Sequence, residues 1–215
     1  MSADVSAAEL IERCRRGEAN ALALLFERYR HYLRILAEAQ MGRQLRAKCE
    51  PSDLVQQTLL EAYRDFAGFQ GKQEADLLAW LRRILAHNLF NEARRFTAQQ
   101  RDAAREVSLE QIQLGLDRSS VALGRCLAAA TPAPSQIASQ REAAVRLANT
   151  LARLPADYQT VLLLRVFEGL PAEEVARRMN RSAGAVRMLQ LRALTALRME
   201  LNNTDEGEGR AALPQ

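Results

Sequence analysis

The chain has 215 residues, 48% hydrophobic and 5% aromatic, with 30 basic and 26 acidic residues for a net charge of +4. That length allows one or two domains with real cores, and so small a net charge excludes a globally polycationic protein, leaving polyanion contacts to local patches. Glycine and proline are scarce (10 and 6) and fall mostly between periodic segments, which predicts an all-α chain rather than a sheet-rich one.

Residues 7–39 read as two helices split near Gly17. Leu10, Ile11 and Cys14 form one apolar face, and Ala21, Leu24, Leu25, Tyr29, Leu33 and Leu36 another. Arg43, Arg46 and Lys48 then read as a solvated basic connection. Pro51-Ser52-Asp53 marks a helix start, with Ser52 or Asp53 as the cap and Gln56 placed as in a capping box. That helix buries Leu54, Leu59, Ala62 and Phe66 and leaves Asp53, Gln56, Gln57 and Glu61 on or near the other side.

Residues 68–76 form a loop with two glycines, an aromatic and a lysine. A strong helix is predicted over 77–95, with Leu77, Trp80, Leu81, Ile84, Leu85 and Leu89 as its buried stripe. Arg82, Arg83, His87, Asn88, Asn91, Arg94 and Arg95 are its polar positions. Between Arg82 and Arg105, six Arg face only Glu92 and Asp102. Residues 96–139 turn rich in Gln, Ala and Ser, and Thr131-Pro132-Ala133-Pro134-Ser135 marks a linker. Val107, Leu109, Ile112, Leu114, Leu116, Val121, Leu123 and Leu127 within it allow docking on a partner or on either domain.

Two more helices follow over 141–169, divided at Leu154-Pro155. From Leu170 to Arg198 two helical patterns meet at Asn180-Arg181-Ser182. Pro171 suits the first opening turn and Ser182 can cap the second. Val186, Leu189, Ala193 and Leu197 form an inward stripe, with Arg187, Gln190 and Arg198 largely off it. Six Arg against Glu173 and Glu174 make this stretch basic. The pattern is that of a helix-turn-helix, whose second helix fits the DNA major groove. A plain helical hairpin with a solvated basic face fits the same residues. Leu201 closes this domain, and residues 202–215 read as a frayed tail.

No catalytic or phosphate-cradling pattern appears, so no enzyme activity and no cofactor is expected. Cys14, Cys49 and Cys126 are isolated, which argues against a metal site or disulfide framework and fits a reducing cytoplasm. The N-terminus lacks the apolar run of a signal peptide, and no stretch is apolar enough for a membrane helix.

The segments PSDLVQQTLLEAYRDF and LLAWLRRILAHNLFNEARR, followed by LARLPADYQTVLLLRVFEGLPAEEVARRMNRSAGAVRMLQLRALTALR, resemble a bacterial extracytoplasmic-function (ECF) sigma factor of the small two-domain type. The resemblance runs from about Leu10 to Leu201. It implies two helical domains on a flexible linker: 1–97 for polymerase binding and minus-ten recognition, 98–138 as linker, 139–201 as the minus-thirty-five reader, and 202–215 as a disordered tail. Asp53, Leu54, Val55, Gln56 and Gln57 would dock on the polymerase clamp coiled coil, with the flap as a second polymerase contact. A loop around Phe69 and Lys72 would capture an unstacked base, with Arg82, Arg83, His87, Asn88, Asn91, Arg94 and Arg95 lining the melted strand. Arg177, Arg181, Ser182, Ala183, Gly184, Arg187 and Gln190 would contact the minus-thirty-five duplex. The implied partners are core RNA polymerase, promoter DNA and an anti-sigma factor, without a membrane, and the implied location is the cytoplasm at the nucleoid. Met188 and Leu189 depart from the small polar or basic residues common in the family, and Gln57 from a commoner Glu. A stand-alone helix-turn-helix regulator is the alternative, and a helical adaptor a third reading.

Overall fold

The computed structural model describes residues 5–100, 108–130 and 140–211, and among them no strand occurs. The Thr131–Ser135 proline stretch, Arg101, Asp102 and Arg105 lie outside the described residues. The chain divides into two compact units, Val5–Val121 and the residues from Ala122 onward.

In the first unit, α1 (Ala7–Arg15) is capped by Ser6, whose Oγ accepts from the Glu9 N–H at 3.2 Å. Helix α2 (Ala21–Gln40) follows a turn through Gly17 and Asn20, both at positive φ. Ile11, Leu25, Tyr29, Leu33 and Leu36 go fully into the core. Leu24 does not: it is exposed, because Ala21, Leu25, Phe26 and Tyr32 already define the inward arc and Leu24 lies beyond its edge. The basic connection contains a short helix α3 (Arg43–Arg46), and Arg46 is tied to the carbonyls of Glu38 and Met41.

Helix α4 spans Pro51–Asp65. Its cap position is Glu50, without a side-chain bond, so the expected Ser52 or Asp53 cap does not form. Proline explains the shift, since its fixed φ and missing N–H suit the first helical position. A 3-10 turn, Phe66–Gly68, leads to the loop before α5 (Glu74–Gln100). The Asp76 carboxylate accepts from the N–H groups of Lys72 (3.0 Å) and Gln73 (3.1 Å), satisfying donors at the helix start. Helix α4 packs against α2 and α5, and Leu54, Leu77, Leu78, Leu81 and Leu85 join the core.

Within the stretch read as linker, Leu109–Ala130 form a helix, α6. Its first half is fastened to this unit by polar bonds. Tyr32 Oη donates to Ser120 Oγ (2.9 Å), Gln40 Nε2 to Ser119 Oγ (3.1 Å) and Arg82 Nε to Asp117 Oδ1 (2.8 Å). Leu116 is fully buried.

The second unit contains α7 (Gln140–Arg153), α8 (Ala156–Leu162), α9 (Ala172–Met179) and α10 (Ala183–Ala211). Pro155 separates α7 from α8 as expected. Helix α8 runs into a π-helical turn, Leu163–Phe167, and Gly169 at φ +64 reverses the chain toward α9. Helices α7, α8 and α9 all pack on α10, whose Val186, Ala193, Leu197 and Leu201 are buried, while Leu189 is half-buried. Helix α10 runs on through Ala211, past Asn202 where composition suggests fraying.

Asn180 ends α9 at φ 51, ψ 50, and the Arg181 N–H bonds back to the Ala176 carbonyl at 2.9 Å. Asn tolerates this left-handed region better than most residues. Asn180→Ala is expected to lower the stability of this unit by about 1 kcal/mol, and Asn180→Gly to leave it nearly unchanged, by urea titration.

Candidate functional site

Three surfaces carry the residues singled out from sequence. The first is the outer face of α4. Asp53, Gln56 and Gln57 are exposed there. Leu54 and Val55 are not: both are buried in the core, so neither can touch a partner directly. Helical periodicity explains the split, because Leu54, Val55, Thr58 and Ala62 are the buried positions of one amphipathic helix. Two residues of the outer face were missed. Leu60 is 52% exposed and Tyr63 61% exposed, at i+4 and i+7 from Gln56. Their positions off the Leu54–Ala62 stripe are the sequence signal that could have found them.

The second surface lies on α5 and the loop before it. Arg83, His87, Asn91, Arg94 and Arg95 recur at three- and four-residue steps and are all exposed. Arg94 lies over the Phe90 ring, 5.6 Å from its centroid, and Arg95 Nη1 bonds Glu92 at 2.7 Å. Arg82 and Asn88, expected on the same path, are instead 6% and 2% exposed. Arg82 bonds Asp117 and, through Nη1 at 3.0 Å, the Tyr32 hydroxyl. The Asn88 amide donates to Thr58 Oγ1 and Glu61 Oε2, both at 3.2 Å, and its Oδ1 accepts from Gln57 Nε2 at 3.3 Å. Both side chains therefore act as struts, Arg82 toward α6 and Asn88 toward α4. Asn88→Ala is expected to cost about 1 kcal/mol, since it removes three side-chain bonds between α5 and α4 while Thr58 keeps its bond to the Leu54 carbonyl and Gln57 its bond to Glu61. Thermal unfolding would register it.

In the loop, Phe69 is half-buried and stacks on Trp80 with centroids 5.0 Å apart and a 30° interplanar angle. Phe66 lies 5.7 Å from Phe69 and 6.3 Å from Trp80. Trp80 was expected in the core; it is half-buried as the partner of this ring. A Cβ at Gly71 would run into the Phe69 ring, so glycine lets the loop fold over the aromatic. Lys72 is exposed.

The third surface is the helix-turn-helix. Ser182 Oγ accepts from the Ala185 N–H at 3.2 Å and so caps α10. Arg177, Arg181, Ser182, Gly184 and Arg187 are exposed and Ala183 half-buried around this helix start. Its arginines sit beside acids: Arg181 with Asp157 (2.5 Å), Arg187 with Glu173 (2.9 Å), Arg178 with Glu168 (2.9 Å) and Glu174 (3.2 Å), and Arg177 with Glu174. Hydrogen bonds from Arg177 and then Arg178 hold the Glu174 carboxyl below the usual carboxylate range. The Arg181–Asp157 and Arg187–Glu173 pairs are exposed on both sides. Pairs of that kind contribute about 0–1 kcal/mol each, so these two guanidinium groups can be exchanged onto phosphate at little cost. Gln190 is different. It is half-buried, and its Oε1 accepts from Arg165 Nε at 3.0 Å, while Arg165 Nη1 donates to the Leu170 carbonyl. Arg165, which sits in the π-helical turn, was not singled out from sequence, where it looks like one more basic residue in an apolar helix.

Burial raises the thiol pKa of Cys14 and of Cys49, the latter also through Glu92, Asp53 and Glu50, so both sit away from the reactive thiolate form. Among the described residues no group of His, Cys, Asp and Glu is placed to hold a metal ion. No described helix is long and apolar enough to cross a membrane.

Residues 144–197, from α7 to α10, match the family described as Sigma-70, region 4. The chain is 31% identical over 185 residues to the ECF RNA polymerase sigma-E factor of Haemophilus influenzae, covering 86% of this chain and 89% of that protein. It is 30% identical over 191 residues to the ECF RNA polymerase sigma factor SigD of Mycobacterium tuberculosis, covering 86% of this chain and 79% of that protein. Against a chain of the solved RsbN-BldN complex the identity is 24%, the coverage 87% and 96%, and the TM-score 0.30. With its helical units, its region 4 helix-turn-helix and this degree of identity over most of its length, the chain belongs to the ECF RNA polymerase sigma factors, the initiation factors of transcription.

Proposed function

We propose that this sigma factor divides its work between its two units. Residues 1–97 bind core RNA polymerase and engage the melted minus-ten strand, 98–138 connect the two readers, with α6 through Val121 fastened to the first unit, 139–201 read the minus-thirty-five duplex, and 202–215 are a tail. The exposed Asp53, Gln56 and Gln57 face of α4 docks on the clamp coiled coil, a helix-on-helix contact in which polar groups set register. Leu60 and Tyr63 extend that face with apolar area. The second unit meets the flap.

Strand opening needs a surface that prefers single strands: cations along the backbone path and a pocket or ring for an extruded base. Arg83, Arg94 and Arg95 supply the cations, His87 and Asn91 add polar contacts between them, and the loop with Phe69 and Lys72 supplies the ring. In the second unit, the first turn of α10 enters the major groove with Gly184 allowing close approach. Arg177, Arg181 and Arg187 move from their acidic neighbours to phosphates or base edges. The protein has no catalytic role of its own, because polymerase makes the bonds. It acts in the cytoplasm at the nucleoid, and an anti-sigma factor that covers the polymerase-binding face holds it inactive.

The observation that carries this reading is the exposed arginine set around the Ser182-capped start of α10 in a chain of this family. The test is transcription. Purified protein added to core polymerase on a melted-bubble promoter is expected to give product above core alone, and no stimulation on any selected promoter would sink the proposal. A gel shift without core separates a sigma factor, which binds duplex weakly alone, from a stand-alone regulator, which binds it tightly.

A further inference from the structure

We infer that the sequence-reading surface of α10 is an apolar strip formed by Met188 and Leu191, which recognises the C5 methyl groups of adjacent thymines in the minus-thirty-five duplex. This rests on the docking of α10 in a major groove proposed above and assigns its base chemistry.

Met188 is 52% and Leu191 59% exposed. Both lie on one arc of α10 with Gly184, Thr195 and the exposed Met199, at three- and four-residue steps. The opposite arc holds Val186, Ala193 and Leu197 in the core. Thr195 adds no free donor to the strip, because its hydroxyl bonds the Leu191 carbonyl at 3.0 Å. From Ala183 to Met199 the one side-chain amide is Gln190, and Arg165 holds its oxygen at the protein side of the helix. An amide held this way cannot make the bidentate contact to adenine that glutamine otherwise offers. At Met188 and Leu191 the exposed arc thus has no side chain that can donate a hydrogen bond to a base edge.

Its borders are cationic. Arg187 and Arg198 flank the strip on one side and Arg192 on the other, all exposed. An apolar centre between guanidinium borders is complementary to a major groove whose floor carries thymine methyls and whose walls are phosphate. A partner helix from another protein would have to be acidic along both edges to match Arg192 and Arg198, whereas Arg187 already has Glu173 beside it. Met188 and Leu191 are separated by about 4.5 Å along the helix axis, close to the spacing of one base step, about 3.4 Å. The strip therefore addresses two neighbouring A·T pairs.

The experiment uses the full chain bound to core polymerase on a promoter it protects. Each thymine of the upstream element is replaced in turn by deoxyuridine, which keeps every hydrogen-bonding group and lacks only the methyl. Binding is expected to weaken about fourfold at each of two adjacent positions, the fold-change equivalent to burying one methylene, about 0.8 kcal/mol. Met188→Ala with Leu191→Ala is expected to weaken binding to thymine DNA and to abolish its discrimination against uracil, a coupling read as a double-mutant cycle. Both side chains are exposed, and the DNA-side substitutions need no protein variant. Uracil DNA bound as tightly as thymine DNA would overturn the inference, as would equal discrimination by wild type and variant; in both cases upstream protection itself would stand. Loss of binding to a protein partner, with DNA affinity unchanged in the variant, would also overturn it by marking the strip as a protein-docking face. No upstream protection on any bound promoter would instead remove the docking reading, and this assignment with it.

Discussion

Replacing Arg82 with alanine is expected to destabilise the first unit by about 2–3 kcal/mol, with the damage centred on α6 rather than on DNA contacts. The guanidinium joins α5 to Asp117 of α6 at 2.8 Å and to the Tyr32 hydroxyl of α2 at 3.0 Å, and that hydroxyl in turn donates to Ser120 at 2.9 Å. Alanine removes two bonds from this chain and leaves the buried Tyr32 hydroxyl without its donor. Loss of a buried pair can cost about 3–5 kcal/mol when the surviving charge is stranded. Asp117 is 61% exposed and regains water, which places the expected cost below that range. Urea unfolding would give the magnitude, and faster amide hydrogen exchange over 109–121 would give the location. Arg83→Ala is the contrast. Its side chain is exposed, so stability should move by less than about 0.5 kcal/mol while affinity for single-stranded minus-ten DNA falls. If Arg82→Ala left α6 exchange unchanged and lowered only strand binding, the structural role given to Arg82 would be wrong.

The face of α4 should produce the largest effect on polymerase affinity. Asp53→Lys reverses a charge at the start of the helix and is expected to weaken core binding by tenfold or more, because a mismatched interfacial charge costs several kcal/mol. Tyr63→Ala is expected to weaken it by a comparable factor. A large exposed aromatic beside polar register-setting groups is the usual make-up of an interface hot spot, worth about 2 kcal/mol or more. Neither change touches the core, so circular dichroism and melting temperature should stay close to wild type. Leu54→Ala should do the reverse. Leu54 is buried, and its truncation is expected to cost about 2–5 kcal/mol of stability, reducing core binding only through unfolding. Fluorescence titration of core polymerase beside thermal melts of the three variants separates the cases. Unchanged core affinity in both Asp53→Lys and Tyr63→Ala would move the docking surface elsewhere.

The electrostatics of the helix-turn-helix follow from its acids. The folded value of the Glu174 carboxyl is depressed, so its pairing with Arg177 and Arg178 is fully present above the ordinary carboxylate range and fades as pH falls through the depressed value. Near neutral pH the pairs are intact, and DNA must displace them.

Helix placement was legible in the amino-acid order itself. Apolar residues at three- and four-residue steps located α2, α4, α5 and α10, proline at 155 divided α7 from α8, and Ser182 marked the start of α10. The exposed part of α4 and the arginines around Asn180 followed from the same periodicity. Such signals are local: they depend on which residues share a turn.

Only the tertiary structure decided which polar positions reach the surface. Arg82 and Arg83 look alike in sequence, as do Asn88 and Asn91, yet one of each pair is buried. The partners that hold them come from afar in the chain: Asp117 lies 35 residues and Tyr32 50 residues from Arg82, and Thr58 lies 30 from Asn88. Gln190 is claimed in the same way by Arg165, 25 residues earlier, which leaves Met188 and Leu191 as the outward face of the helix. Periodicity states how a helix divides its own surface, whereas a side chain's burial depends on what the rest of the chain brings against it.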